Sequence, residues 1–205
     1  MTLIDTKRFF ELTFGALRGL VDPDFAPRLM WDHRSYLGDA NLVLGRAEKV
    51  DPGVVTLVGG SRISYDFLVV ATGSQYPSVG KNTSTTRASR IGYFRQQAAK
   101  IKAASSVLVV GGGPVGVEFA AELLDRYPGK QVSLIQHGEQ LLPALDETCG
   151  DQAETFLAAK GCNLYFQDSV ALDHHVDLLE GKRTLTTARG VALEVDLVFN
   201  AMGQT

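Results

Sequence analysis

The sequence predicts an α/β fold in which buried parallel strands alternate with helices. Residues 107–110 are all apolar, as a strand covered on both faces requires, and the next residues carry glycines in G-x-G-x-x-G spacing. A second apolar strand is expected at residues 132–135. Between glycines and strand, helical spacing gives one apolar face to Phe119, Ala120, Leu123 and Leu124. This order is that of a βαβ unit.

The three spaced glycines have separate physical roles. Gly111 makes the tight turn, Gly113 lets the backbone approach a pyrophosphate, and Gly116 lets the helix pack closely on the strand. Backbone N–H groups at the helix start would face phosphates with the positive end of the helix dipole behind them. The turn is completed by Gly112, Pro114 and Val115. We therefore expect a dinucleotide here; a strand, turn and helix without a ligand is the alternative.

Shorter elements are predicted before this unit. Residues 8–19 indicate a loop that leads into a short helix, and strands are expected at residues 41–44, 54–58 and 63–70. A polar connector follows at residues 78–86. A helix is then expected at residues 88–104, with an apolar face made of Ile91, Phe94, Ala98 and Ile101.

Two further features are predicted after the unit. A helix at residues 147–159 would carry Ala153, Phe156 and Leu157 on one face. Residues 169–193, with a turn at 180–182, indicate a small antiparallel excursion before a closing strand.

Composition excludes several classes of protein. The 205 residues are 45% hydrophobic with a formal net charge of -3, which indicates a globular protein and argues against a nucleic-acid partner. No apolar run approaches the length of a membrane span and no signal-peptide pattern is present, so we expect a cytoplasmic protein, with peripheral membrane association left open.

Cysteine and histidine spacing predicts no metal site. Cys149 and Cys162 form neither a redox dithiol nor a zinc pattern, and Cys162 is expected to be a small buried residue. The adjacent His174 and His175 fit a solvated loop or strand edge better than a shared metal. No catalytic triad or paired carboxylate site is predicted.

The chain contains an internal repeat with an offset of about 130 residues. Residues 2–5 (TLID) recur as 133–136 (SLIQ), and residues 65–73 (YDFLVVATG) recur as 195–203 (VDLVFNAMG). The second copy is complete, whereas the strand and glycine turn of the first would lie about twenty residues before Met1. We expect an incomplete unit over residues 1–87, a complete unit over residues 88–205, and possible self-association through the incomplete sheet.

These motifs resemble the two-dinucleotide-binding flavoproteins of the pyridine nucleotide-disulfide oxidoreductase superfamily. LIDTKRFFELTFGALR, YDFLVVATGS, VLVVGGGPVGVEFAAEL and LLPALD are most similar to the apoptosis-inducing-factor-like branch, which includes ferroptosis-suppressor flavoproteins. The resemblance implies a Rossmann-like FAD/NAD(P)-binding architecture with a complete NAD(P)H unit and an incomplete FAD unit. It also implies hydride transfer from NAD(P)H to FAD and on to a quinone-like acceptor. The alternative is a truncated, non-catalytic NAD(P)H-binding fragment.

The resemblance also implies roles for residues of the FAD unit. Asp5 would accept the ribose hydroxyls of the FAD adenosine, and Lys7 and Arg18 would lie near the FAD phosphates. The backbone contact to adenine and the turn beside the flavin nucleotide would come from Ala47, Thr72 and Gly73. Ordinary roles are the alternatives for two of these residues, a strand end for Asp5 and a solvated helix cation for Arg18.

In the second unit, the resemblance places the NAD(P)H pyrophosphate on residues 111–116 and Glu118 near the nicotinamide. Gly203 would form the turn that lets the nicotinamide approach the flavin. Helix-dipole stabilisation is the alternative role of Glu118. Gln136 stands where NAD-specific sites favour a carboxylate, and His137 could contact a phosphate, so the choice between NADH and NADPH stays open.

Overall fold

The structure is a computed structural model, and it describes residues 1–73, 84–172 and 178–203. Most of the predicted polar connector, together with His174 and His175, lies outside these ranges. The described elements form one five-stranded sheet flanked by helices, and three smaller sheets in the first half of the chain.

The first half is built from short strands. A parallel pair joins β1 (Thr2–Asp5) to β4 (Asn41–Leu44), with Leu3 opposite Leu42. The other two sheets are antiparallel: β2 (Phe9–Glu11) with β3 (Met30–Asp32), and β5 (Ala47–Asp51) with β6 (Val54–Leu57) and β7 (Arg62–Ser64).

The prediction of one strand over residues 63–70 is wrong beyond Ser64, where β7 ends. Phe67, Val69 and Val70 are 95%, 86% and 70% exposed and belong to no described strand. A strand needs a partner for its backbone N–H and C=O groups. The equivalent strand of the second repeat finds that partner in the apolar strand before the glycine turn, whereas no strand of the described residues lies beside residues 67–70.

The structure also corrects the prediction for residues 8–19. A strand, β2, precedes the short helix α1 (Ala16–Val21) there. Alternation explains the strand, because Phe9 is buried and Phe10 is half exposed against Trp31 of β3.

The second half begins with α2 (Arg87–Ala103), close to the predicted bounds. Thr86 caps this helix by accepting the Ser89 N–H through its hydroxyl oxygen. Phe94, Ala98 and Ile101 are buried, as their spacing predicts.

A five-stranded sheet follows in the order β10-β9-β8-β12-β11, and its first four strands are parallel. The strands are β8 (Ser106–Val110), β9 (Gln131–Gln136), β10 (Asn163–Phe166), β11 (Leu178–Thr186) and β12 (Ala192–Asn200). The helices are α3 (Pro114–Arg126) and α4 (Glu147–Ala159). This confirms the predicted βαβ unit and the α/β fold class.

Two details of the second half differ from prediction. The antiparallel excursion is real, since β11 pairs with β12, but residues 180–182 form an irregularity inside β11 around Gly181, whose φ is +96°. The chain reverses instead at a turn where Thr187 N–H donates to Val191 O. Phe156 is 49% exposed rather than buried, although Leu157 of the same helix is fully buried.

One hydrophobic cluster runs through both halves. Leu20 of α1 and Phe94 of α2 belong to the same buried set as Val107 of β8 and Phe119 of α3. A buried ion pair adds to the junction, with Arg90 Nη2 of α2 2.6 Å from Glu11 Oε1 of β2.

Candidate functional site

The glycine turn between β8 and α3 is packed so tightly that two positions require glycine. Gly111 has a φ of +110°, and a Cβ there would lie 2.8 Å from the carbonyl oxygen of Ala201. A Cβ on Gly116 would lie 1.9 Å from the carbonyl oxygen of Gly111. The helix therefore presses directly on the turn, as the spacing predicts.

Gly113 differs from these two positions because its missing side chain leaves open space. Apart from Gly113 and its two chain neighbours, no described atom lies within 4 Å of a Cβ built there, and its φ of -76° is open to any residue. Gly113 is the N-cap of α3, and Pro114 follows at the first helical position. A phosphate could therefore approach the backbone at the positive end of the helix dipole.

A cavity of about 270 Å³ opens beside this turn at the carboxyl ends of β8, β9 and β12. The chain runs from β8 to β9 on one side and places β12 on the other, so the cavity lies at a topological switch point. Residues 111–113, Gln136, Pro143 and Gly203 contribute to its lining. The loop that contains Pro143 is fastened to the turn, because Leu142 N–H donates to Gly112 O at 2.8 Å.

A larger cleft, of about 630 Å³, lies at the opposite edge of the sheet. Lys130, Gln131 and Asn163, at the amino ends of β9 and β10, line it. No residue of the predicted site contributes to this cleft.

Gln136 ends β9 and reaches back to the glycine turn. Its Oε1 accepts the Gly112 N–H at 2.9 Å. His137 also lines the cavity, next to Gln136.

Asp168, which sequence reasoning missed, is a buried carboxylate in the cavity wall. Burial raises the pKa of Asp168, but hydrogen bonds from the Thr187 side chain and the Ser169 and Arg189 N–H groups outweigh burial and leave the pKa below its usual value. Its place just after β10 is the signal that could have indicated it.

Glu118 lies on α3, beside charged neighbours. Burial, and then repulsion by Glu122, raise the pKa of Glu118, while Arg18 opposes the increase. Arg18 Nη2 lies 2.9 Å from Glu122 Oε1, so the structure ties this predicted FAD-unit cation to the helix of the second unit.

Asp5 ends β1 with both carboxylate oxygens engaged. Oδ1 accepts the Lys7 N–H at 2.8 Å, and Oδ2 lies 3.2 Å from Nε2 of His33, which is 2% exposed. The other ring nitrogen of His33 bonds the Tyr36 hydroxyl. Sequence reasoning missed His33, because the pair with Asp5 forms only through the fold.

The remaining predicted residues lie apart from the cavity. Ala47 begins β5 opposite Leu57, and Thr72 and Gly73 are exposed beyond the last strand of the first half. None of these three lines either cavity. The structure thus brings together residues 111–113, Gln136 and Gly203, and leaves the predicted FAD residues dispersed.

Within the described residues, no group of three or more His, Cys, Asp or Glu side chains could hold a metal ion. None of the described helices is both long enough and apolar enough to cross a membrane.

Residues 28–205 match the family described as pyridine nucleotide-disulphide oxidoreductase. Apoptosis-inducing factor homolog B from Dictyostelium discoideum is 23% identical in sequence, and the match covers 99% of this chain and 57% of that relative. Ferroptosis suppressor protein 1 from Taeniopygia guttata is 30% identical over 98% of the chain and 55% of its own length. The oxidoreductase ptaL of Pestalotiopsis fici is 35% identical over 99% of this chain and 58% of its own length. The chain thus spans somewhat more than half the length of these relatives.

A similar structure supports the fold alone. A NAD-dependent persulfide reductase from A. fulgidus superposes with a TM-score of 0.68 at 19% identity, over 99% of this chain and 41% of that one. The Rossmann-like α/β architecture, the glycine turn and the family match together show that the chain belongs to the pyridine nucleotide-disulphide oxidoreductase family and is a distant homologue of the apoptosis-inducing factor and ferroptosis suppressor proteins.

Proposed function

We propose that this chain acts as an FAD-dependent NAD(P)H oxidoreductase of the apoptosis-inducing-factor-like type, and that the second half of the chain holds its NAD(P)H site. Hydride would pass from NAD(P)H to FAD and on to a quinone-like acceptor in the cytoplasm. The observation that carries the proposal is the glycine turn at the mouth of a cavity. Gly111 and Gly116 have no room for a side chain, whereas Gly113 faces open space.

The residues of the second unit fit a dinucleotide. The amides at the start of α3 would bind the pyrophosphate, and the open space at Gly113 admits it. Gly203 lines the same cavity, on the β12 side, where the nicotinamide half would extend. NAD(P)H supplies the hydride when bound, while the chain positions it and excludes water with the apolar Pro143 and Met202 walls.

The residues of the first unit fit FAD only in part. Asp5 stands at the expected strand end, but His33 and the Lys7 amide already engage its carboxylate. Among the described strands, β1 pairs with β4 alone, and Phe67 to Val70 lie unpaired. These residues therefore offer FAD only part of a site.

The exposed segment favours a second candidate function, a non-catalytic NAD(P)H-binding polypeptide. Apolar residues 67–70 and the open edge of β1 would also favour self-association, because unpaired strand edges are templates for pairing with another chain.

The two candidates are separated by titrating the purified chain with FAD, NADH and NADPH while following flavin and nicotinamide fluorescence. The oxidoreductase predicts that FAD binds stoichiometrically and that NAD(P)H then bleaches its absorbance. The second candidate predicts that only the nicotinamide dinucleotide binds. If neither NADH nor NADPH binds, both candidates fail. Sedimentation velocity on the same sample tests self-association.

A further inference from the structure

We propose that Asp168 is a positioning residue of the dinucleotide cavity, and that it holds the turn between β11 and β12 against the cavity wall. This turn, residues 187–191, is called the hairpin turn below. The inference rests on the proposed function and concerns the same cavity. It extends the site to a turn that does not itself line the cavity.

Residues 168–170 form the cavity wall in question. Gly203 lines the cavity on the β12 side, where the nicotinamide half would extend, so the adenosine half would lie toward β9 and this wall. Val170 is buried and belongs to the same hydrophobic cluster as Ile135 of β9. The wall is therefore supported by apolar packing at one end and by the contacts of Asp168 at the other.

The Asp168 carboxylate joins the wall to the hairpin turn. The residue is 4% exposed, and its Oδ1 accepts the Ser169 N–H at 2.8 Å and the Arg189 N–H at 3.1 Å. The Thr187 hydroxyl donates to the same carboxylate, and its Oγ1 accepts the Val191 N–H at 3.1 Å. Hydrogen bonds to a charged acceptor are stronger than neutral ones, so this carboxylate ties the hairpin turn firmly to the wall.

The backbone of Asp168 extends this connection to the glycine turn. Its N–H donates to Gln136 O at 3.3 Å, and Gln136 Oε1 accepts the Gly112 N–H at 2.9 Å. A further backbone bond joins the hairpin turn to the wall, because Ala188 N–H donates to Ser169 O at 2.8 Å. The hairpin turn and the glycine turn should therefore respond together to a bound dinucleotide.

The groups that engage the Asp168 carboxylate belong to the protein, so its role is to hold the wall. Without the carboxylate, the Arg189 N–H and the Thr187 hydroxyl would lose their acceptor. The wall would then lose one of its two supports. A wall that must be ordered by the dinucleotide lowers affinity, because part of the binding free energy is spent on that ordering.

The first test is a titration of the full chain with NADH, followed by nicotinamide fluorescence. Asp168→Ala should raise the Kd by about tenfold. Thr187→Val removes a hydroxyl that lies outside the cavity lining, so it should raise the Kd by about threefold or more only if the wall is held through Asp168, and the double variant should bind like Asp168→Ala alone. Asp168→Asn keeps an oxygen that can accept the Arg189 N–H and should bind within about threefold of the wild type.

The second test is amide hydrogen exchange measured by mass spectrometry at saturating NADH. In the wild type, NADH should slow exchange at the glycine turn, residues 111–116, and also at the hairpin turn. In Asp168→Ala, the protection by NADH should persist at the glycine turn and be lost at the hairpin turn. A residue that only stabilises the fold would not separate these two responses.

Asp196→Ala is the matched control. Asp196 also accepts two backbone N–H groups, those of Ser105 and Ser106, but these lie at the amino end of β8, whereas the cavity lies at the carboxyl ends of the strands. The control should be less stable in urea than the wild type, as Asp168→Ala should be, and should keep the NADH Kd within about twofold of the wild type.

Two results overturn the inference while leaving the proposed function intact. One is equal weakening of NADH binding by Asp168→Ala and Asp196→Ala. The other is a wild-type Kd for Thr187→Val, which also decides the matter if Asp168→Ala does not fold. Failure of the wild type to bind either NADH or NADPH refutes the proposed function itself, and the inference with it.

Discussion

Alanine substitutions at Gly116 and Gly113 should separate the stability of the glycine turn from its ability to bind. The Cβ of Gly116→Ala would lie 1.9 Å from the Gly111 carbonyl oxygen, so helix and turn must move apart. Overpacking costs about 1–3 kcal/mol when side chains can shift, and it costs more when the clash is with backbone atoms. We therefore expect a loss of about 3 kcal/mol or more in the free energy of unfolding.

Apart from its two chain neighbours, the Cβ of Gly113→Ala meets no described atom within 4 Å at a φ of -76°, so stability should stay within about 1 kcal/mol of the wild type. The same methyl group would fill the space that the pyrophosphate of the proposed dinucleotide needs. We therefore expect NADH affinity to fall by about tenfold or more, since each 1.4 kcal/mol of lost contact is tenfold in Kd.

Urea unfolding followed by far-UV circular dichroism measures the first effect, and nicotinamide fluorescence measures the second. Gly92→Ala is the control, because this exposed helical glycine lies in α2, away from the cavity, and should keep both properties or gain up to about 1 kcal/mol of stability. The reasoning is refuted if Gly113→Ala unfolds as easily as Gly116→Ala, or if it binds NADH as tightly as the wild type does.

Three further predictions concern the rest of the fold. Glu11→Gln leaves the buried Arg90 without its counter-charge and should lower the free energy of unfolding in urea by about 3 kcal/mol. The double variant with Arg90→Met and Glu11→Leu removes both charges and should be more stable than Glu11→Gln. Hydrogen bonds from two backbone N–H groups at the start of β8 lower the pKa of Asp196. The stability that this carboxylate contributes is therefore complete above about pH 4 and is lost as the pH falls through the lower folded-state pKa. In unfolding measured as a function of pH, Asp196→Asn should show a smaller loss of stability in acid. Burial raises the pKa of Cys162 to about 12. Iodoacetamide at pH 8 should therefore alkylate Cys149 and spare Cys162 until urea is added, which peptide mass spectrometry can measure. Rapid labelling of Cys162 in the folded protein would contradict its burial.

The second half of the fold was predictable because its signals are local. An apolar run, spaced glycines and a helical apolar face lie next to one another in the chain, and β8, α3 and β9 appear close to the expected bounds. The bounds of α4 follow from its amphipathic pattern and from Asp146, which caps it by accepting the Thr148 N–H.

The first half was less predictable because its strands depend on distant partners. Residues 67–70 have strand-like composition but no described strand beside them, and β2 forms because β3, about twenty residues away, supplies its hydrogen bonds. The candidate site shows the same division. Its glycines could be predicted from spacing, whereas the contacts from Arg189 to Asp168 and from His33 to Asp5 form only through tertiary packing.

Because the two halves share one hydrophobic cluster, we expect them to fold as one cooperative unit. Leu20 of α1 belongs to the same cluster as Phe119 of α3, and the Tyr127 hydroxyl at the end of α3 donates to Val21 O. Excision of residues 88–205 would uncover apolar surface of α3, so the nucleotide-binding half should not retain its full stability when separated. Amide hydrogens of α1 and β8 should instead exchange through the same global opening, so a dinucleotide bound at the glycine turn should also slow exchange in the distant first half.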